Sequence, residues 1–198
     1  MMGPLSPLQI PELKKVEARL MEVACSQAPC VSELSTYLLK SGGKRLRPTL
    51  VLLSASLFPC DLEEAVDVAT AVELIHTASL VHDDIIDMAD RRRGRPTLNA
   101  RWGNHLSVLT GDFLFARALT LLTSGGKPDL VEIMAEAIAV MCEGQLEQAL
   151  QAFNCDQTED DYMNQVRKKT AHLMGVSCYA GALISGAPAE EAASMRNY

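Results

Sequence analysis

From Asp61 to Arg92 the chain runs without a glycine or proline, and Arg93-Gly94-Arg95-Pro96 then breaks it. Asp61-Leu62-Glu63-Glu64 has the acceptor-x-x-Glu form of a capping box at a helix start. About 30 helical residues at 1.5 Å each make a rod of roughly 45 Å. A rod that long, with apolar faces to cover, commits the chain to a helical bundle. The remaining sequence agrees: strand alternation is absent, and apolar residues recur at spacings of three and four. Helices are expected at 11–25, at 31–39 with Ser41-Gly42-Gly43 as its stop, and from Pro48 to Pro59. Others are expected near 104–123, 129–152, 159–185 and 189–198, with Gly125-Gly126 and Pro188 as punctuation. The expected class is all-α. It is one domain over 1–198, a bundle of long, mostly antiparallel helices with short connections and no internal repeat or linker.

At 198 residues and 48% apolar, the chain can bury a substantial core, which excludes disordered and low-complexity readings. Its 18 basic and 25 acidic residues leave a formal charge of −7, which argues against a nucleic-acid binder. The placement of the cations matters more than their sum. Eight of the 18 fall in two short stretches: Lys40, Lys44, Arg45, Arg47, and Arg91, Arg92, Arg93, Arg95. Two tight basic clusters on an acidic chain point to a small anionic ligand. Cysteines at 25, 30, 60, 142, 155 and 178 show no Cys-x-x-Cys spacing and read as reduced thiols of a cytoplasmic protein. No apolar run approaches the roughly 18 residues of a membrane span. Pro4, Pro7 and Pro11 precede any basic residue, which is not the pattern of a signal peptide.

Along 74–90, Leu74, Ala78, Val81, Ile85 and Met88 form one apolar stripe that should pack against neighbours. His76, Ser79, Leu80, Asp83 and Asp87 form a second. Asp83 and Asp87 are four apart, so their carboxylates share a face, and the adjacent Asp84 can lean toward them. Two readings stand. One is a solvated helix end in which Asp87 and Arg91 make an i,i+4 ion pair. The other is an oxygen-rich site for Mg²⁺, which binds one or two carboxylates and keeps positions open for water and phosphate oxygens. Other metal centres fit less well. Glu73-Leu-Ile-His76 is a single Glu-x-x-His unit where a di-iron bundle needs two. His82-Asp83 resembles the His-Asp doublet of helical metallophosphohydrolases, but its nearest upstream histidine, His76, lies on the same helix.

Gly42-Gly43-Lys44-Arg45-Leu46-Arg47-Pro48 places cations in a glycine turn just before a helix, where free N–H groups and the dipole favour an anion. It is not a Walker A loop. Either basic cluster alone reads as a solvated surface. Beside acids that would hold a metal, Arg91-Arg92-Arg93-Gly94 reads instead as one side of a diphosphate clamp.

Together these residues resemble the trans-isoprenyl diphosphate synthases of the long-chain, polyprenyl type. The family's first aspartate-rich motif, Asp-Asp-x-x-Asp, matches Asp83-Asp84-Ile85-Ile86-Asp87, and its Gly-Gly-Lys-x-x-Arg-Pro matches Gly42 to Pro48. Its Arg-Arg-Gly matches Arg92-Arg93-Gly94, its Gly-Gln pair Gly144-Gln145, and its Lys-Thr-Ala Lys169-Thr170-Ala171. The match runs from about residue 35 to the C-terminus.

The resemblance implies an isoprenoid synthase bundle around a central apolar cavity. It implies a Mg²⁺-dependent prenyltransferase that joins isopentenyl diphosphate to an allylic prenyl diphosphate. Asp83 and Asp87, with Asp84 assisting, would hold Mg²⁺, and Arg92, Lys169, Thr170 and Gln145 would serve the allylic diphosphate. Lys44, Arg47, His76 and Arg93, with the Gly43 backbone, would bind isopentenyl diphosphate. Small residues at Ala78 and Ser79, just before the aspartates, leave the channel open and imply a long product. Phe113 and Phe115 are candidates for a deeper floor but read first as core. The partner implied is a second copy, or a different subunit in a heteromer.

The family's second aspartate-rich motif is expected after the point where this chain stops, so the chain corresponds to the first two-thirds of a family member. Asp160-Asp161-Tyr162-Met163-Asn164 looks like a decayed copy, but Thr158 to Asp161 reads as a helix N-cap and precedes Lys169. Two other readings remain: a non-catalytic or regulatory subunit of a heteromeric synthase, and a terpene cyclase. The cyclase would not need the Gly-Gly-Lys-x-x-Arg cluster for a second diphosphate.

Overall fold

The computed structural model describes residues 10–197. Its helices are α1 (Leu13–Ala24), α2 (Pro29–Leu39), α3 (Leu46–Ala55), α4 (Leu62–Ile86), α5 (Leu98–Trp102), α6 (Asn104–Ser124), α7 (Pro128–Leu150), α8 (Glu159–Val166), α9 (His172–Ile184) and α10 (Ala189–Arg196). A short hairpin, β1 (Arg91–Arg92) with β2 (Arg95–Pro96), joins α4 to α5, and a π-helical turn, Arg167–Ala171, joins α8 to α9. The all-α class is as expected. Pro4, Pro7 and the last residue of the final expected helix lie outside the described residues.

The long rod is the centre of the molecule. α4 is buried on almost every side and packs on α6, α3, α1 and α9. That is the behaviour of a helix apolar all round. Its N-cap, Asp61, accepts from the Glu63 N–H rather than forming the full reciprocal box.

The rod ends earlier than its composition implied. Helix geometry stops at Ile86, and Met88 adopts left-handed backbone at φ 49°. The Ala89 N–H reaches back to the Asp84 carbonyl and the Met88 N–H to that of Ile85, which is a Schellman stop built without glycine. Two expectations fall with it. Met88 is 84% exposed, so the apolar stripe ends at Ile85. Arg91 belongs to the hairpin and donates to the Gly94 carbonyl, so no Asp87–Arg91 pair forms. In the hairpin, Arg93 and Gly94 both have positive φ, as a two-residue primed turn requires.

The expected helix over 159–185 is interrupted by the π turn. Its start is as read: Thr158 and Asp161 form a capping box. Among the described residues α6 alone is long and apolar enough to cross a membrane by length and composition, although no such stretch was expected. It packs against α4 and carries Asp112 and Arg117 along its length.

Candidate active site

The C-terminal end of α4 divides two recesses of opposite character. On one side lies a narrow crevice of about 30 Å³, lined by Glu73, His76, Asp84, Arg45, Arg92 and Arg93 with the Gly42 loop. On the other lies an apolar cavity of about 450 Å³ with Asp83 and Lys169 among its lining residues. Both recesses take side chains from the same few turns of α4.

The crevice is a cationic pocket held by a buried ion pair. Arg45, at left-handed φ 50° before α3, donates to Glu73 at 2.7 Å and to Glu17 at 2.5 Å. This anchor lies between Lys44 and Arg47 in sequence, so it fixes the loop that carries them. Arg47 has a buried Nε with no hydrogen-bond partner, and burial lowers its pKa. Burial, then Arg47, Arg93, Arg92 and Arg45, drive His76 down to about 3, so its ring is neutral at physiological pH. Arg93 donates to the Gly42 carbonyl, tying the hairpin to the loop. A side chain at Gly43 would press on Arg93 and Arg45, with a Cβ 2.8 Å from the Arg93 Nη1. Lys44 is exposed beside this loop. A neutral imidazole ringed by guanidiniums is an environment that an anion would stabilise.

The hairpin that carries Arg92 and Arg93 is tied down elsewhere too. Arg95 donates to the Lys40 carbonyl at 3.0 Å and the Tyr37 hydroxyl to that of Pro96 at 2.8 Å. Thr97 and Asn99 both donate to the Ala89 carbonyl.

The cavity is lined by Ser79, Ile85 and Ile86 of α4, Val108 and Phe115 of α6, and Met141, Cys142 and Leu146 of α7. Asp83, Gln145 and Lys169 bring polar groups to it. The Lys169 Nζ stands 3.8 Å from Asp83 and 3.2 Å from Gln148. Burial pushes the Asp83 carboxyl up; Lys169 opposes that, and the Asp87 and Asp84 charges add to it. Asp87 caps α4, is exposed, and makes no ion pair among the described residues. Thr170 lines a separate polar recess with Gln148, Gln151 and Gln165, which Lys169 also borders. The Gln145 Oε1 is buried without a partner.

Asp84 departs from the expectation. Its carboxylate is buried, accepts from the Arg92 Nε at 2.8 Å, and lines the crevice rather than the cavity. Adjacent residues on a helix point about 100° apart. Arg92 takes the crevice side with it, while Lys169 makes the ion pair with Asp83. Ser79 lines the cavity as expected, but Ala78 is fully buried in the core. Of the two phenylalanines, Phe115 reaches the cavity and Phe113 packs on the core.

Sequence reasoning overlooked Arg45 and Glu73 as a pair. The available signal was a glutamate inside the apolar run of α4, since a buried carboxylate needs a partner. His82, weighed in the sequence only as half of a His-Asp doublet, has a packing role. It bonds the Val108 carbonyl at 3.3 Å, lies 3.4 Å from Asp112, and packs so tightly on Gly111 that any Cβ there would collide with its ring.

The family model described as polyprenyl synthetase matches residues 28–198. The chain is 45% identical over 177 residues to heptaprenyl diphosphate synthase component 2 from Geobacillus stearothermophilus, covering 89% of this chain and 55% of that one. Among solved structures, it is similar to a decaprenyl diphosphate synthase from Rhodobacter capsulatus, with TM-score 0.90, 41% identity, and 95% and 58% of the two chains covered. It is also similar to a polyprenyl synthase from Caulobacter crescentus CB15 complexed with calcium and isoprenyl diphosphate, with TM-score 0.91, 34% identity, and coverage of 95% and 57%. The chain thus spans little more than half the length of these relatives.

Proposed function

The chain belongs to the polyprenyl synthetase family, and on that premise we propose that it supplies the two diphosphate subsites of a long-chain all-trans polyprenyl diphosphate synthase. The observation that carries this is the division made by α4: a cationic crevice on one side, and an apolar cavity bordered by Asp83 and Lys169 on the other. One fits the diphosphate of isopentenyl diphosphate. The other fits an allylic diphosphate whose hydrocarbon tail needs apolar walls. The Caulobacter relative, complexed with calcium and isoprenyl diphosphate, supports a divalent cation and an isoprenyl diphosphate as ligands.

The donor set fits Mg²⁺. Asp83 and Asp87 are hard oxygen donors, and burial, with the Asp87 and Asp84 charges adding to it, raises the Asp83 pKa, a cost of ionisation that a divalent cation would offset. Asp84, occupied by Arg92, serves that pair through the hairpin rather than as a direct donor. Held by Asp83 and Asp87, Mg²⁺ would neutralise charge on the departing diphosphate.

The chain's own residues do the rest. Lys169 draws the allylic diphosphate oxygens to the cavity mouth, with Gln145 offering a further hydrogen bond there and Thr170 one from the adjoining recess that Lys169 also borders. Arg47, Arg93, Lys44 and neutral His76 hold the second diphosphate, with the Gly43 N–H beside them. The isopentenyl double bond forms the new C–C bond to the allylic carbon as the C–O bond to diphosphate breaks, and a proton then leaves the product. No serine, cysteine or lysine nucleophile is required. Ile85, Phe115, Met141 and Leu146 keep water from the allylic carbon.

The working assembly is a homodimer or, as the name of the Geobacillus component suggests, a heteromer with a second subunit. Free thiols, five of the six exposed, suit a reducing cytoplasmic setting. The test is incubation with Mg²⁺, farnesyl diphosphate and isopentenyl diphosphate, with products identified by mass spectrometry. A ladder of longer prenyl diphosphates that disappears with EDTA is the expected result. Failure of the chain to bind either diphosphate, alone or with a second subunit, overturns the proposal.

A further inference from the structure

We propose that the joint between α7 and the π turn, made of Gly144 and a Glu143–Lys168–Glu147 clamp, is a positioning device that aims Lys169 at Asp83; this rests on the reading of Lys169 given above. Lys168 and Lys169 are adjacent in sequence and are sent in different directions. The Lys168 Nζ lies 2.6 Å from Glu147 and 3.4 Å from Glu143. The Lys169 Nζ faces Gln148 and Asp83.

Glu143 and Glu147 flank Gly144 by one residue before and three after, so their carboxylates straddle it on the face of α7. Gly144 itself leaves a hole at that point. A Cβ there would lie 2.8 Å from the Lys168 Cβ and 3.2 Å from the Lys169 backbone N. Lys168 therefore enters as a knob whose stem fills the glycine gap and whose ammonium is gripped on both sides.

The backbone of the same residues is not ordinary helix. Arg167–Ala171 forms one π turn between two α-helices, although no glycine or proline stands in it. A π turn inserts one residue into the helical register and is a local distortion that survives only where surroundings hold it. Here the close approach to Gly144 and the carboxylate clamp are the surroundings. The inserted residue rotates Lys169 relative to α9, toward the cavity.

Exposed ion pairs contribute little to stability, so a clamp used only for folding would matter little. Its value as a positioning element would appear in ligand binding. The test uses the 198-residue chain in calorimetric titrations with Mg²⁺ and two unreactive probes, farnesyl thiodiphosphate and isopentenyl thiodiphosphate. Lys168→Met and Gly144→Ala should each weaken the farnesyl probe roughly tenfold, as loss of outer supporting contacts does in other sites. Affinity for the isopentenyl probe should not change, and Lys168→Arg should bind as the unsubstituted chain does. In a Lys169→Met background the effect of Lys168→Met should vanish, because the group it positions is gone. A loss that persists in that background, or that strikes both probes equally, overturns the inference. So does unchanged farnesyl binding in Lys168→Met, should Gly144→Ala fail to fold. If Lys169→Met binds the farnesyl probe as well as the parent, or the parent binds neither probe, the underlying reading falls as well.

Discussion

The Arg45 guanidinium meets the Glu73 carboxylate at 2.7 Å, with side chains only 6% and 4% exposed. Between them they join the loop before α3 to the middle of α4, and the cationic crevice hangs on that joint. Removing one partner leaves a buried charge without compensation. Glu73→Ala should therefore lower unfolding free energy by about 3–5 kcal/mol. Glu17, which also holds Arg45, is 47% exposed. Glu17→Ala should lose no more than about 1 kcal/mol. Urea denaturation of the two variants checks the difference, and equal losses would contradict it.

A second prediction follows from His76. In the unfolded chain its imidazole titrates near the ordinary 6.5, whereas burial and the surrounding guanidiniums hold it at about 3 when folded. Between those values the unfolded state binds a proton that the folded state does not. Stability from this residue is therefore complete above 6.5 and falls as the pH drops toward 3. In His76→Gln that component is absent. The stability gap between variant and parent should be constant above pH 6.5 and shift in favour of the variant as acid is added. Denaturation midpoints across the window measure it; a gap that does not vary with pH would show that the ring is not held neutral.

Helical periodicity was enough to read α4 as a long rod with a face to bury, and Leu74, Ala78 and Val81, which repeat at helical spacing, are all buried. Of the residues the motifs grouped, Asp83, Gln145 and Lys169 line one recess and His76 and Arg93 another, while Arg92 lines the crevice and not the cavity. What escaped was backbone geometry without a residue signature. Met88 ends α4 in a left-handed conformation usually given to glycine, and the π turn at Lys169 contains neither glycine nor proline. The partition of Asp84 to Arg92 escaped for the same reason. The step of about 100° between helical neighbours turns Asp84 away from Asp83, but its pairing with Arg92 depends on where the helix ends and the hairpin folds back, which no spacing rule supplies.

Gly111 provides a third prediction. It lies on α6 directly beneath the His82 ring, with no room for a Cβ. Gly111→Ala must push His82 or separate α6 from α4. Overpacking of this kind costs about 1–3 kcal/mol. Because His82 precedes Asp83, the same substitution should also weaken binding of Mg²⁺ with farnesyl thiodiphosphate. A variant with parental stability and parental binding would mean that the ring moves aside freely.

The last prediction separates two neighbours that look equivalent in the sequence. Ser79 and Ala78 are both small and both precede the aspartates, yet only Ser79 borders the cavity. Its hydroxyl bonds back to the His76 carbonyl, so the space beyond it, toward Phe115 and Met141, stays open. A phenyl group at 79 would extend into that space and stop a growing chain. Ser79→Phe should fold normally and, in the active assembly, shift the product ladder to shorter prenyl diphosphates. Ala78 has no exposed surface and sits in the packed core. Ala78→Phe would force a large ring among Leu and Val side chains, so its main effect should be destabilisation of at least about 1–3 kcal/mol. Product length by mass spectrometry and thermal midpoints for the pair decide the matter. If both variants shorten the product with equal stability, the wall of the cavity includes residue 78 and the placement of Ala78 in the core is not what governs length.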